Sequence, residues 1–330
     1  MYTLRFPFRL PEGRVLSPLE EPASASCDEL SVTLSKHSDS YLLTVEPFSD
    51  EDTAVAFIPR IYAGLKWTML QYDLSADFDM EPQPIHYLED PCAVAQNLFG
   101  KDAEVDCVDA VINIEKPAVT LSNKKISIMV AGQGSITTGV NANIALAAIS
   151  EVAMLRRAEA VIQNRKLSNA LELYSVFFRE QSKNARFLAL MMALEALTQN
   201  ERKPSHVLDL IDGWVAELQQ RKATTEESTK EWAGYDALEK EIAYRKEVSI
   251  RQKIRTLVWQ TLSNQGSEAA TAAARKAVRL YDQRSRLVHD GYLPAETLTK
   301  GIQELKEIVC NVLKSQFTQV AGRGAQRPNE

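Results

Sequence analysis

The 330-residue sequence is poor in the groups that hold metals or crosslink chains, with four cysteines and four histidines. Cys27, Cys92, Cys107 and Cys310 are scattered, with no Cys-x-x-Cys pair and no histidine at ligand spacing. That spacing argues against a disulfide framework and against a structural zinc site. A long apolar run is also missing. The longest uncharged stretch, Ile126–Ser150, is interrupted by Gly, Gln, Asn and Thr, whereas a membrane span needs roughly 18 or more mostly apolar residues. Residues 1–10 carry Arg5 and Arg9 without an apolar h-region or a small-residue cleavage site, so they do not read as a signal peptide. A cytoplasmic protein is the expectation, with no membrane partner and no metal or other cofactor. His-Glu-x-x-His and Gly-x-Ser-x-Gly do not occur, which removes the main support for a metalloprotease or an α/β-hydrolase.

What is present is ordinary globular composition, 45% hydrophobic and 25% charged, enough to bury a sizeable core and to exclude a largely disordered chain. Length alone favours two domains. The net charge of −6 hides a split. Residues 1–140 hold 10 basic and 21 acidic side chains, and the remainder 28 and 23, so the first part is net −11 and the second net +5. The second part is the more tolerant of a polyanion.

Organisation follows the same division. Residues 1–140 contain ten of the thirteen prolines. Tyr2–Phe8, Leu30–Leu34 and Tyr41–Val45 read as short strands, and a further strand pair is expected at Val105–Ile114 and Lys125–Val130. Glu51–Leu70 has helical spacing that Pro59 should break or kink. From Asn141 the pattern turns helical. Ile144–Gln199 lacks Pro and Gly, with breaks expected near Asn164–Ser168 and Ser182–Asn184. A short helix from Pro204 to about Leu218, a polar loop over Gln219–Lys230, and helices across Tyr235–Leu262, Glu268–Val288 and Pro294–Phe317 complete it. The expected fold is a mixed α+β N-terminal domain (1–140), an all-α bundle of about five to seven helices (141–320), and a disordered tail (321–330).

Two segments and three histidines invite chemistry and carry little. Val130–Gly139 has Gly-x-Gly-x₄-Gly spacing and no following Gly-Lys-Ser/Thr, which suits an interdomain connection better than a phosphate cradle. Asp77-Phe78-Asp79, near Asp73, lacks the Gly and closing Glu of a calcium loop and reads as a solvated acidic turn. His37, His86 and His206 read as surface or turn residues.

His289 stands apart because of its neighbours, Tyr281-Asp282-Gln283-Arg284-Ser285-Arg286-Leu287-Val288-His289-Asp290-Gly291. Gly291 suits a left-handed helix cap, which leaves His289 in the last turn, where the helix dipole favours its protonated form. Ala277, Tyr281, Arg284 and Val288 share one helical face, so Arg284 should point towards a packed surface and need an anion there, either a buried carboxylate or a bound phosphate. Ser285 and Arg286 share the face of His289. Five residues separate Arg284 from His289, about 140° round an ideal helix. The two side chains therefore converge only if the helix end unwinds, or if two copies of the helix meet across a dimer axis.

Arg284-x₄-His289 near the end of a long helix, followed by Asp290-Gly291 and one more helix, resembles the HEPN motif Arg-x₄₋₆-His. Its surroundings are most similar to the Apea-like HEPN branch. Arg186-Phe187-Leu188-x-Leu190-x-x-x-Leu194-Glu195-Ala196-Leu197 and Ser249-Ile250-Arg251-x-Lys253-Ile254-Arg255-x-Leu257 resemble two further helices of that branch, and the likeness covers roughly residues 150–320. It implies a metal-independent ribonuclease acting on RNA (tRNA or mRNA), with His289 and Arg284 catalytic and products ending in a 2′,3′-cyclic phosphate and a 5′-hydroxyl. It also implies a homodimer, in bacterial phage defence or a stress response, with a regulatory partner or phage trigger sensed by the N-terminal domain. Ser285, where the family often has Asn, Asp or His, is a weaker orienting group. Glu195 is expected as a structural partner of Arg284, and Arg251, Lys253 and Arg255 as an RNA path or a solvated basic face. The alternatives are a non-catalytic HEPN dimerisation or binding module, and the toxin of a toxin–antitoxin pair.

Overall fold

Alternating apolar residues in the first fifty positions build antiparallel strands. A computed structural model of the chain describes residues 1–11, 14–17, 22–27, 29–89, 91–92, 108–129 and 138–322. Strands β1 (Tyr2–Arg9), β3 (Ala23–Cys27), β4 (Leu30–His37), β5 (Ser40–Phe48) and β7 (Ala118–Leu121) form one sheet in the order β3-β4-β5-β1-β7, antiparallel at each pairing. All three strands expected in this stretch are there, each longer than the sequence signal. Two short parallel pairs accompany the sheet: β2 (Arg14–Ser17) with β9 (Thr138–Asn141), and β6 (Ala110–Asn113) with β8 (Ile126–Met129). The last is the expected strand pair, although residues 105–107 and 130 lie outside the described residues. So do residues 130–137 of the glycine segment and residues 323–330 of the tail.

Chain contacts divide the molecule into two units, Met1–Gln181 together with the residues from Leu313, and Ser182–Val312. Composition changes at Asn141, but the contacts divide only at Gln181/Ser182. In the first unit, Leu4, Phe6, Val32, Leu34, Leu43 and Val45 from one sheet face share a core with helices α1 (Glu51–Ala56), α2 (Ile58–Tyr72) and α3 (Ala142–Ala153). Pro59 does not kink a single helix: it occupies the first turn of α2, where its missing N–H costs nothing. Residues Ile58–Leu70 of α2 are buried almost all round, as their apolar sequence requires. Gly64 lets α3 approach so closely that a Cβ there would sit 2.5 Å from the Ile149 carbonyl oxygen. Helices α4 (Ala160–Gln163) and α5 (Arg165–Arg179) follow, and Asn164 caps α5 by accepting from Leu167 N. Lys66 of α2 is buried among the rings of Tyr62 and Phe78 and reaches Glu172 and Ser175 of α5, each at 2.9 Å.

The second unit comprises α6 (Lys183–Ala196), α7 (Ser205–Ala223), α8 (Lys230–Tyr244), α9 (Ile250–Leu262), a short 3₁₀ turn (Ser263–Gln265), α10 (Ser267–Asp290) and the start of α11 (Ala295–Ala321). The described residues after Asn141 thus form nine helices, more than the five to seven expected. One surplus break falls at Met154–Glu159, which no Gly or Pro marks. Helix α7 also runs to Ala223, taking in residues that read as loop. Ser182 and Ser249 cap α6 and α9 through their hydroxyls. Alanines Ala270, Ala274 and Ala277 line the buried side of α10 and let α9 lie against it.

Below this regular framework, two smaller expectations meet their outcomes. Cys92 is disulfide-bonded, which the scattered spacing did not signal, and Cys310 is in no disulfide. No described helix is long and apolar enough to cross a membrane.

Candidate functional site

Helix α10 is delimited by two glycines with positive φ, Gly266 at 130° and Gly291 at 71°. Gly291 takes the left-handed cap its position predicts. The α-helix persists through Asp290, so His289 sits in the last intact turn with its imidazole exposed. Because the helix does not unwind, Arg284 and His289 keep the roughly 140° separation of ideal geometry and diverge within one chain.

Arg284 lies on the packed side, as expected, though the face is rotated slightly from the one the sequence suggests. The buried line runs through Ala277, Leu280 and Leu287, and Val288 is half exposed at its edge. Across from Arg284 stands Glu195, near the end of α6. Arg284 Nε is 3.6 Å from Glu195 Oε1, and the side chains are 28% and 21% exposed. That is ion-pair range and too long for a hydrogen bond. Both atoms are buried and lack a hydrogen-bond partner among the described residues. Burial pushes the Glu195 carboxyl above its ordinary value, and the Arg284 charge only partly opposes this. The result is a cation held at a helix surface by one loosely matched anion, with guanidinium donors left over for another.

The packing behind the pair is tight. Gly301 of α11 lies where a Cβ would come within 3.1 Å of Gln283 Oε1 and 3.3 Å of the Phe187 ring. Gly301 thus lets α6, α10 and α11 close around the Arg284 segment. Ser285 is half-buried and Arg286 exposed on the side of His289.

The basic residues of α9 do not form one open stripe. Arg251 is bound by both carboxylate oxygens of Asp282 on α10, at 3.1 and 3.0 Å. Lys253 is buried and paired with Glu247 at 3.0 Å, so it is no part of a solvated face. Arg255 is exposed and has no ion pair among the described residues. Sequence reading missed Asp282 and Glu247 as partners. Asp282 lies thirty-one residues beyond Arg251, and only the pairing of α9 with α10 joins them.

Elsewhere, Asp77 pairs with Arg179 at 3.1 Å and Asp79 with Lys116 at 3.6 Å, as a solvated acidic turn should. No group of metal-ligating side chains occurs among the described residues. His37 bonds Ser35 Oγ at 3.0 Å, and His86 and His206 are exposed. The chain matches no protein-family model, no curated protein and no solved structure.

Proposed function

We propose that the chain is a metal-independent RNA endonuclease of the HEPN type that works as a homodimer in the bacterial cytoplasm, in phage defence or a stress response. The observation that carries this reading is the end of α10: an exposed His289 in the last intact turn, one turn beyond an Arg284 whose charge is incompletely matched. Two such helix ends facing each other bring the Arg of one copy towards the His of the other.

The chemistry needs nothing further. The 2′-oxygen attacks the adjacent phosphorus, the new 2′-O–P bond forms and the P–O5′ bond breaks. The His289 imidazole takes the 2′-hydroxyl proton and passes it to solvent, and the leaving 5′-oxygen takes a proton from water, so charge and atoms balance with one imidazole per site and no co-reactant but water. A guanidinium steadies the non-bridging oxygens as negative charge builds on them. Arg286 and Arg255 are the exposed cations available to the flanking backbone. The strand-rich unit is assigned the sensing or regulatory part.

A second reading has its own observation. Glu195 already supplies Arg284 with a counter-charge inside one chain, as a non-catalytic binding module would need. Cleavage of mixed tRNA and mRNA in EDTA separates the two. The nuclease reading predicts 2′,3′-cyclic phosphate ends from wild type and none from Arg284→Ala or His289→Ala at unchanged melting temperature. Intact RNA with every form would support the binding module.

A further inference from the structure

Helices α7 and α8 pack mainly on each other, as an antiparallel hairpin. A backbone clasp closes its base, with Arg202 bridged to Glu247, Lys203 N donating to Lys246 O and Val248 N donating to Glu201 O. Lys222 links the two helices through Asp236 and Glu239 and lies over the Trp232 ring. Yet α7, with 19 residues, buries only Ile211 and Leu218, and α8, with 15, buries none. Helices of this length draw most of their stability in proteins from packing an apolar face, and this pair has little.

The uncovered face is specific. Apolar residues of α7 span an arc of about 160° (Val207, Leu208, Leu210, Ile211, Trp214, Val215, Leu218), wider than one neighbouring helix covers. Its bare flank runs through Leu210, Trp214, Glu217 and Arg221. On α8 a matching line runs through Tyr235, Leu238, Ile242 and Arg245, set about a quarter-turn, to the same side, from the faces that Lys222 joins to Asp236 and Glu239. The two lines therefore lie on the same side of the hairpin. Leu210 is 56% exposed, Trp214 51% and Leu238 44%.

We propose that this face is a self-association surface, packing on the same face of a second copy to complete a four-helix bundle. Its charges point to a second copy. Glu231 lies at the turn end of the hairpin and Arg245 at its base, so a two-fold, antiparallel pairing sets Glu231 of each copy against Arg245 of the other. Arg245 has no ion pair among the described residues. Size sets the strength: a two-helix face about 22 Å long and roughly 20 Å wide offers about 440 Å², around half the ~800 Å² per side of a standard interface, which suits a weak, reversible pairing. The inference is independent of the nuclease reading, whose facing helix ends lie on α10.

Sedimentation of the full chain tests it. Wild type should associate reversibly at concentrations around 10 μM beyond the dimer that facing α10 ends would give, and the Leu210→Ser/Trp214→Ser pair should weaken that further step at least about thirtyfold. Both side chains are solvent-exposed, so helicity and melting temperature should hold. Glu231→Arg should weaken association by opposing like charges, and adding Arg245→Glu should restore it. A monomeric wild type, association unmoved by the Leu210/Trp214 pair, or failure of the double charge reversal to restore it would each overturn the proposal. Arg284→Ala should leave this equilibrium unchanged, which separates it from the nuclease reading.

Discussion

At the residue scale, the ion pair between Arg284 and Glu195 concentrates what the sequence could and could not tell. Arg284 was legible as a packed cation because its helical neighbours are apolar, and Glu195 was a candidate because it follows apolar positions round α6. The mismatch in their geometry was not legible, since it depends on how far apart two helices sit. It has a pH consequence. The Glu195 carboxyl lies above its ordinary value, so the folded chain binds more protons than the unfolded one in the window just above that ordinary value. The contribution of Glu195 to stability is therefore present on the acid side and lost as pH rises through its folded pKa. Glu195→Gln removes that loss. Melting temperatures of the two proteins between about pH 4 and 7 should shift in favour of the variant as pH rises. A constant difference would contradict the account.

Two glycines give sharper residue-scale expectations. A Cβ at Gly64 would overlap the Ile149 backbone, which cannot rotate away, so Gly64→Ala should cost about 1–3 kcal/mol in denaturant titration. Gly291 is the complementary case. Nothing lies within 4 Å of a Cβ built there, so Gly291→Ala isolates the cost of a left-handed backbone, about 1 kcal/mol. It should also fray the turn that carries His289, so any RNA cleavage should fall along with stability. Equal stability of Gly291→Ala and wild type would mean that the cap adds nothing.

At the element scale, patterns confined to one segment were the readable ones. The strands at Tyr2, Leu30 and Tyr41 and the long helix ending at Gly291 each follow from local periodicity and a stop signal. Breaks without punctuation were not readable. The chain leaves the helix at Met154–Glu159 with no Gly or Pro, and there Arg60 of α2 donates to the Leu155 carbonyl and pairs with Glu159, contacts between distant segments. Lys253 shows the same limit. Flanked by Arg251 and Arg255 it looks like part of a basic stripe, yet it is buried against Glu247. Lys253→Met should accordingly change stability more than RNA affinity, while Arg255→Ala should weaken RNA binding and lower its salt dependence. Filter binding at several salt concentrations, beside thermal melts, distinguishes the two. The reverse pattern would return Lys253 to the RNA path.

For the whole molecule, the β-rich beginning and helical remainder were visible in composition, but the boundary of the first unit was not. Helices α3 to α5 fall in one unit with the sheet, and the apolar side of α3 completes the sheet's core, a relation between distant segments that no local pattern records. The proposed nuclease is likewise placed beyond the single chain. With α10 helical to Asp290, Arg284 and His289 point apart, and the nuclease reading requires two chains for each site. Mixing Arg284→Ala with His289→Ala tests that most directly. Once subunits exchange, each mixed dimer holds one intact Arg–His pair contributed by different chains. The mixture should recover roughly a quarter of wild-type RNA cleavage where neither variant alone has any. A mixture as inactive as its components, beside an active wild type, would contradict the account.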